Sequence, residues 1–289
     1  MTVPRPRVAL RLVAAALLLG SGLAVAAPAQ AAPSSGLNDW SCRPSAAHPR
    51  PVVLLHGLSS SKEANWAFHG PAVAAAGYCV FSLTYGVNET SQIWGGGGFD
   101  QIDESAREIG AFVDDVLAAT GAAKADLVGH SEGAFQTLYV TKVTGYAAKV
   151  GRVVALAPPT HGTSFAGIVT LGQVLGGQAL VNAFTDGARC FACTDLVTGG
   201  PAIARLTDGP IAQAGVHYTI VGTRWDAVVT PTSTSFVREP GVVNYYIQDK
   251  CPLDPVGHVG IAVDNGVTSM ILNGLDASAP VRCGFGPPV

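Results

Sequence analysis

The sequence predicts an α/β domain in which helices cover both faces of a mostly parallel sheet. Short apolar segments typical of buried strands, such as 51–55 and 125–128, alternate with longer segments whose apolar residues recur at helical spacing, such as 102–121. The 258 residues that follow residue 31 in this chain of 289 are also enough to bury one full core.

The elements follow one another in order. We predict strands at 51–55, 78–85, 125–128, 152–157, 216–222 and 241–247. We predict helices at 66–76, 102–121, 134–143, 165–175 and 259–272. The alternation breaks over 158–215, a long insertion that we expect to form a short lid or binding wall. The Gly-rich segment 95–98 lacks the Lys-Ser/Thr ending of a phosphate-binding loop, so we expect a mobile surface loop.

Residues 1–31 have the features of a secretory signal peptide. Three arginines precede an apolar stretch over 12–27, and Ala29-Gln-Ala31 matches a cleavage site. That stretch is short for a membrane span and no stop-transfer segment follows, so we expect a secreted protein that is cleaved near Ala31 and has no stable membrane span. We expect residues 32–289 to form a single domain and a monomer.

The charge balance is acidic. Of 17 basic residues, the signal peptide removes three, which leaves 14 against 20 acidic residues. Because no basic stripe is present, we expect no nucleic-acid partner.

Six cysteines in an exported chain favour disulfide bonds. Fifteen pairings are possible, and the sequence alone does not choose among them. Cys190 and Cys193 lie so close in sequence that we expect a local loop. The other expected pairs are Cys42–Cys79 and Cys251–Cys283. A metal half-site at the Cys-x-x-Cys is disfavoured because no second ligand pair has metal spacing.

The motif Gly129-His-Ser-Glu-Gly133 indicates a nucleophile at Ser131. A nucleophilic serine of this type lies on a sharp turn between a strand and a helix, where side chains at the two glycine positions would collide with backbone. The apolar strand before the motif and the helical pattern after it supply that context. The bland alternative is a Gly-rich turn with an incidental serine.

A serine nucleophile needs a histidine base, and in this architecture the base follows it in the chain. His258 lies in Val256-Gly-His-Val-Gly, between the last strand and the last helix, where the base is expected. His217 opens an apolar strand and is expected to pack there. His161 follows the next strand after the Ser131 turn and is expected to shape the pocket edge.

The imidazole in turn needs a carboxylate that fixes its tautomer. Asp226 follows the strand 216–222 and can approach the far side of the imidazole from a separate strand end. Asp254 is the rival, but it shares a loop with His258. We therefore expect Asp226 to be the acid.

Two backbone amides should stabilise the oxyanion. One is the N–H of Glu132, directly after the nucleophile and at a helix N-terminus. The other is expected from His56-Gly57-Leu58 after the first strand, namely the N–H of Leu58.

With these residues in place, the chain resembles the small secreted bacterial lipases and esterases of the α/β-hydrolase superfamily, most closely an actinobacterial triacylglycerol lipase group. The matching residues are His56-Gly57-Leu58, Gly129-His-Ser-Glu-Gly133, Asp226 in Asp-x-x-Val-x-Pro, and Gly257-His258. The resemblance implies the α/β-hydrolase fold with a short lid-like insertion and a triad of Ser131, Asp226 and His258. The chain departs from the larger lipases in having no evident calcium site.

The resulting hypothesis is ester hydrolysis through an acyl-enzyme, without a cofactor or metal. The expected substrate is a lipid or ester, at an oil–water interface for a triacylglycerol lipase. The alternatives are a short-chain carboxylesterase, a polyester hydrolase, an acyltransferase that passes the acyl group to an alcohol, and a non-catalytic binding protein. The expected pocket residues are His161, Phe165, Ile168, Val169 and Leu171.

Overall fold

Six strands form a central sheet in the described part of the chain. The computed structural model describes residues 1–2, 37–186 and 189–289, so all but the first two residues of the predicted signal peptide lie outside the described residues. The strands are β1 (Val52–Leu55), β2 (Val80–Ser82), β3 (Ala125–His130), β4 (Val150–Leu156), β5 (His217–Gly222) and β6 (Val242–Tyr246). Their order in the sheet is β2-β1-β3-β4-β5-β6, with every neighbouring pair parallel. The predicted mostly parallel sheet is confirmed.

Helices cover both faces of this sheet. They are α1 (Lys62–Trp66), α2 (His69–Ala75), α3 (Glu89–Trp94), α4 (Ile102–Thr120), α5 (Glu132–Lys142), α6 (Phe165–Thr185), α7 (Phe191–Asp195), α8 (Pro201–Thr207), α9 (Ile247–Lys250) and α10 (Asn265–Leu275). Successive strand residues point to opposite faces. Accordingly, Val53 and Leu55 of β1 pack in one core with α4 and α5, whereas Val52 and Leu54 pack in a second core with α2 and α10.

Several helix boundaries differ from the prediction. The helix predicted over 66–76 is two helices, α1 and α2, and α3, α7, α8 and α9 were not predicted. The last helix begins at Asn265 because the Asp264 carboxylate caps it by accepting the Gly266 N–H at 2.6 Å. Residues before Asp264, over Gly260–Val263, form a short 3₁₀ helix instead.

The insertion over 158–215 contains α6, α7 and α8. The helix α6 is two segments, because Gly177 leaves helical geometry at φ 64° and ψ −158°. A Cβ on Gly172 would lie 3.0 Å from the backbone N of Val181, so the two segments fold back and pack closely on each other. Among the described residues, the stretch Ala166–Thr185 alone is long and apolar enough to cross a membrane by length and composition, and 44% of it is buried.

The Gly-rich segment 95–98 packs against the loop that follows β1, so the predicted mobile surface loop is wrong. Gly97 donates its N–H to the Ser60 carbonyl at 2.7 Å and accepts the Ser59 N–H at 2.9 Å. A Cβ on Gly97 would lie 2.1 Å from the Tyr85 carbonyl oxygen. Glycine is therefore needed here for close backbone packing.

The structure joins the cysteines in the three expected pairs. Cys42–Cys79 connects the segment before β1 to the start of β2, and Cys190–Cys193 closes a local loop. Cys251–Cys283 connects the segment after α9 to the chain beyond α10. The third disulfide therefore ties the segment that leads to His258 to the chain beyond α10.

Candidate active site

Ser131 lies on the turn between β3 and α5. Its backbone has φ 57° and ψ −121°, a left-handed conformation that non-glycine residues adopt rarely and at a cost. The turn is held because the Ser131 N–H donates to the Leu156 carbonyl of β4 at 2.8 Å. A Cβ on Gly129 would lie 2.2 Å from the Gly133 carbonyl oxygen, and a Cβ on Gly133 would lie 2.1 Å from the Leu55 carbonyl oxygen. Both glycines of the motif are thus required by contact with backbone.

The Ser131 hydroxyl is the first member of a hydrogen-bonded line of three side chains. Its Oγ lies 2.8 Å from Nε2 of His258, and Nδ1 of His258 lies 2.8 Å from Oδ2 of Asp226. All three residues are at least 93% buried, with exposed fractions of 7%, 1% and 7% for Ser131, His258 and Asp226. Water therefore competes little for these hydrogen bonds, and the imidazole can accept the serine proton while Asp226 faces its other nitrogen.

Asp226 is held in place by its second oxygen. Oδ1 accepts the N–H groups of Val228 at 2.9 Å and Val229 at 2.7 Å, which leaves Oδ2 for the imidazole. The rival acid, Asp254, bonds elsewhere, since its Oδ1 accepts the N–H groups of Val256 at 3.1 Å and Gly286 at 3.3 Å. The structure thus brings Asp226, and not Asp254, against the imidazole.

The backbone of His258 is supported by a histidine of the motif itself. Nε2 of His130 donates to the His258 carbonyl at 3.0 Å, and Nδ1 of His130 lies 3.2 Å from Oδ1 of Asn65. Burial lowers the pKa of His130 to about 3, so this ring is neutral at physiological pH. His130 and Asn65 were not predicted as site residues. The position of His130 inside the motif was the available signal.

The loop after β1 reaches the nucleophile. A Cβ on Gly57 would lie 3.2 Å from the Ser131 Cβ, so this backbone runs beside the serine. The Leu58 N–H has no acceptor among the described residues, and the Glu132 N–H is the first of α5, where helical amides lack partners within the helix. Leu58, Ser131 and Glu132 border one small cavity, so the residues of both predicted donors lie close to the nucleophile.

His56 fixes the orientation of the peptide between Gly57 and Leu58. Its Nδ1 donates to the Gly57 carbonyl at 2.8 Å, and its Nε2 accepts the Tyr85 N–H at 3.2 Å. Because the C=O and N–H of one trans peptide point in opposite directions, holding this carbonyl aims the Leu58 N–H the other way. Burial lowers the pKa of His56 to about 4, so the ring stays neutral and keeps one donor and one acceptor.

The Glu132 side chain is a buried carboxyl next to the nucleophile. Only 1% of Glu132 is exposed. Burial raises its pKa well above the usual value, with Asp195 adding to the effect. A Cβ on Gly98 would lie 2.5 Å from its Oε2, so the packed Gly-rich segment encloses it. Burial therefore favours the protonated carboxyl of Glu132 over the carboxylate.

A mostly apolar cavity of about 240 Å³ opens at Ser131 and His258. Of the predicted pocket residues, Leu171 lines it, and Ile168 lines the smaller adjacent cavity with Leu58 and Glu132. Leu175 of α6 is a further lining residue that was not predicted.

Phe165 is the first residue of α6, and its side chain lies outside the described part of the structure. Val169 is half-buried and lines neither cavity. His161 is exposed, and its Nε2 donates to the Phe236 carbonyl at 3.1 Å, so we leave it out of the proposed pocket. His217 is exposed at the start of β5, so the expectation that it packs there is wrong.

No cluster of three or more His, Cys, Asp or Glu side chains suited to a metal occurs within 37–186 and 189–289.

Comparisons with known proteins agree with this architecture. Residues 50–180 match the family model of the alpha/beta hydrolase fold. The chain is 33% identical over 181 residues to a triacylglycerol lipase of Burkholderia plantarii, covering 57% of this chain and 44% of that protein. It is 33% identical over 130 residues to a triacylglycerol lipase of Pseudarthrobacter phenanthrenivorans, covering 41% of this chain and 36% of that protein. The chain therefore spans less than half the length of these curated relatives.

A solved structure supports the fold over nearly the whole chain. Lipase B of Aspergillus fumigatus superimposes with a TM-score of 0.62 at 17% identity, covering 93% of this chain and 64% of that one. At this identity the likeness concerns the fold alone. Together with the parallel sheet and the strand–turn–helix unit around Ser131, these matches show that the chain has the α/β-hydrolase fold.

Proposed function

We propose that this protein is a secreted serine hydrolase that cleaves carboxylic esters, with triacylglycerols as the main substrate class. The observation that carries the proposal is the line from Ser131 Oγ to His258 Nε2 and from His258 Nδ1 to Asp226 Oδ2, each step 2.8 Å long. A buried serine, imidazole and carboxylate in this arrangement form a general device for acyl transfer.

The proposed reaction begins when His258 takes the hydroxyl proton of Ser131 while Oγ attacks the ester carbonyl carbon. The resulting oxyanion accepts hydrogen bonds from the N–H groups of Leu58 and Glu132, each worth about 10²–10³ in rate. The intermediate then collapses, and the C–O bond to the alcohol breaks as His258 returns the proton to the alcohol oxygen. The product of this half-reaction is an acyl-enzyme on Ser131.

The second half-reaction uses water in place of the alcohol. His258 takes one proton from the water, whose oxygen attacks the acyl carbon, and the same two amides again bind the oxyanion. Collapse breaks the bond to Ser131 Oγ, which recovers its proton from His258. The products are a free carboxylic acid and the unchanged enzyme.

Apolar side chains at the cavity support a lipid substrate. Leu175 lines the cavity and is 41% exposed, and its neighbour Val174 is 46% exposed. Both lie beside the turn in α6 at Gly177, on the insertion. The curated relatives named above are called triacylglycerol lipases. These features favour contact with an oil–water interface, although α6 is folded on itself rather than extended.

A short-chain carboxylesterase is the second candidate, and the cavity volume favours it. About 240 Å³ lies below the range of about 300–1,000 Å³ that is usual for drug-sized ligands. Such a cavity suits a short acyl chain unless the two segments of α6 move apart.

One hydrolysis profile separates the two candidates. The wild-type chain and Ser131→Ala are assayed on p-nitrophenyl esters from acetate to stearate and on an emulsified triglyceride. The lipase proposal predicts highest turnover on long-chain esters and activity on the emulsion. Turnover confined to acetate and butyrate would favour the esterase instead, and ester turnover that persists in Ser131→Ala would contradict both candidates.

We also propose secretion, which the predicted signal peptide supports. Three disulfides in one domain are typical of proteins from oxidising compartments.

A further inference from the structure

The end of the sequence runs alongside the loop that carries His258. We name residues 286–289 the strap. The Gly257 N–H donates to the Pro287 carbonyl at 2.9 Å, and the Gly260 N–H donates to the main-chain oxygen of Val289 at 2.8 Å. The two amides lie on either side of His258 in the sequence. The strap therefore binds the loop both before and after the catalytic imidazole.

The glycines of Val256-Gly-His-Val-Gly fit this contact. A Cβ on Gly257 would lie 2.7 Å from the Val289 N, and a Cβ on Gly260 would lie 2.0 Å from the Pro287 carbonyl oxygen. Both distances are shorter than nonbonded carbon contacts allow, so a side chain at either position would push the strap away. The loop has glycine at these positions because the strap backbone lies directly against it.

The strap is anchored at its start. The Cys251–Cys283 disulfide joins the chain just before the strap to the segment that leads into the histidine loop. The Gly286 N–H donates to Asp254 Oδ1 at 3.3 Å, and a Cβ on Gly286 would lie 2.4 Å from a methyl group of Val256. Loop and strap thus pack as one unit over residues 251–260 and 283–289.

The strap also reaches the substrate side of the site. Pro287 and Val289 line the cavity of about 240 Å³ together with Ser131 and His258. Val289 is 51% exposed, so its side chain lies at an open part of the wall. We therefore expect a change in the size of this side chain to alter the cavity.

We propose that the strap is a positioning and specificity element: its backbone holds the His258 loop, and Pro287 and Val289 limit which esters enter. The second half of this proposal rests on the proposed ester hydrolysis. The loop has little regular structure around His258, so its hydrogen bonds to the strap replace those that a strand or helix would supply. Loss of these bonds leaves Ser131 and Asp226 in place but lets the imidazole drift, and a misplacement of about 1 Å costs roughly 10² in rate.

The positioning role is tested by combining Gly260→Ala with removal of residues 287–289. Each change alone is expected to lower kcat by about 10² while KM changes much less. In the shortened chain the carbonyl that meets the new methyl group is gone, so Gly260→Ala is expected to cost nothing further there. If the two losses in kcat instead multiply in the combined variant, the strap is not the group that Gly260 accommodates. An unchanged kcat in the shortened chain would overturn the positioning role.

A readout without substrate separates this proposal from the proposed function. The proton between His258 Nδ1 and Asp226 gives a low-field ¹H NMR signal when the pair is held together, and this signal should weaken or vanish in the shortened chain. If the wild type cleaves no ester but its signal depends on the strap, ester hydrolysis fails while positioning stands. If the wild type cleaves esters and the signal is unaffected by shortening, positioning fails while hydrolysis stands.

The specificity role is tested with side chains that leave the strap backbone intact. Val289→Trp should shift preference toward shorter acyl chains, and Val289→Ala toward longer or bulkier esters, each with the low-field signal unchanged. The matched control is Val243→Ala on β6, because Val243 has a similar exposure of 54% and lies outside the cavity. Identical chain-length profiles for Val289→Trp, Val289→Ala and the control would overturn the specificity role.

Discussion

The substitution Asp226→Asn tests the line of hydrogen bonds most sharply, because both carboxylate oxygens have fixed partners. Oδ1 accepts the Val228 and Val229 N–H groups at 2.9 and 2.7 Å, and Oδ2 accepts from His258 Nδ1 at 2.8 Å. An amide can satisfy the two backbone donors only by placing its oxygen at the Oδ1 position. Its NH₂ group then faces His258.

This orientation forces the wrong tautomer on the imidazole. Nδ1 must become the acceptor of the new N–H, so the ring proton moves to Nε2 and points at the Ser131 hydroxyl. Nε2 then has no lone pair with which to accept the serine proton. The same substitution in a well-known serine protease lowers kcat by about 10⁴, which corresponds to roughly 5 kcal/mol of barrier. We expect a loss of this size here, with KM nearly unchanged because Asp226 does not line the cavity.

The assay is steady-state hydrolysis of p-nitrophenyl butyrate by the wild type, Asp226→Asn, Asp254→Asn and Asp249→Asn. Asp249 is the matched control, because it is partly exposed and pairs with Arg224 on the surface. Asp254→Asn tests the rival acid in the histidine loop. Retention of kcat within about tenfold by Asp226→Asn, together with a large loss in Asp254→Asn, would refute the assignment of Asp226.

Three further predictions concern groups around the triad. His56→Ala releases the Gly57 carbonyl, so we expect kcat to fall by up to about 10²–10³ with a much smaller change in KM. Equal kcat values for the variant and the wild type would exclude a role for His56 in orienting the Leu58 N–H. Burial raises the pKa of Glu132 above its ordinary value of 4.5. Above that pH the unfolded chain releases a proton that the folded chain keeps, so the free energy of unfolding falls as pH rises. Glu132→Gln should therefore resist urea better than wild type at pH 8 and about equally at pH 4, and the reverse order would show that this carboxyl is ionised in the fold. Burial and the neighbouring Asp254 raise the pKa of Asp264 to about 6. Because Asp254→Asn removes the like charge, this substitution should increase Tm above pH 6 and change Tm little near pH 4.

Much of the fold could be predicted because the local backbone geometry and the apolar pattern of the sequence indicate the same elements. The elbow glycines are explained by contacts with Gly133 and Leu55 backbone, and the strands are continuous apolar segments because both faces of the sheet are covered. The start of the last helix was missed because one capping side chain, Asp264, outweighed the apolar periodicity that begins at Val259.

The packing of the Gly-rich segment and of α6 could not be predicted for a different reason. Glycines in a row are compatible with a flexible loop or with close backbone contact, and only the partner decides. Gly97 meets the Tyr85 carbonyl, and Gly172 meets the backbone of Val181. Tyr85 is distant from Gly97 in the sequence, so the first contact has no local signal. The turn at Gly177 brings Gly172 against Val181, and it leaves no distinctive pattern in the sequence.

In the site, too, the residue types could be predicted from the sequence, whereas many of the contacts could not. Ser131, Asp226 and His258 could be proposed because chemistry demands those residue types in that chain order. His56 and His130 contact backbone carbonyls, and the strap contacts backbone amides. Backbone carbonyls and amides occur along the whole chain, so the residue types alone do not indicate these contacts.

The central claim, that Ser131 is the nucleophile activated by His258, is tested most directly by covalent labelling. The purified protein is treated with diethyl p-nitrophenyl phosphate, and the intact mass and peptide masses are recorded for the wild type and Ser131→Ala. We expect one diethylphosphoryl group on Ser131, loss of ester hydrolysis in proportion to labelling, and neither labelling nor turnover above about one part in 10⁶ in Ser131→Ala. An adduct on another residue that abolishes activity, or undiminished hydrolysis by Ser131→Ala, would contradict the claim.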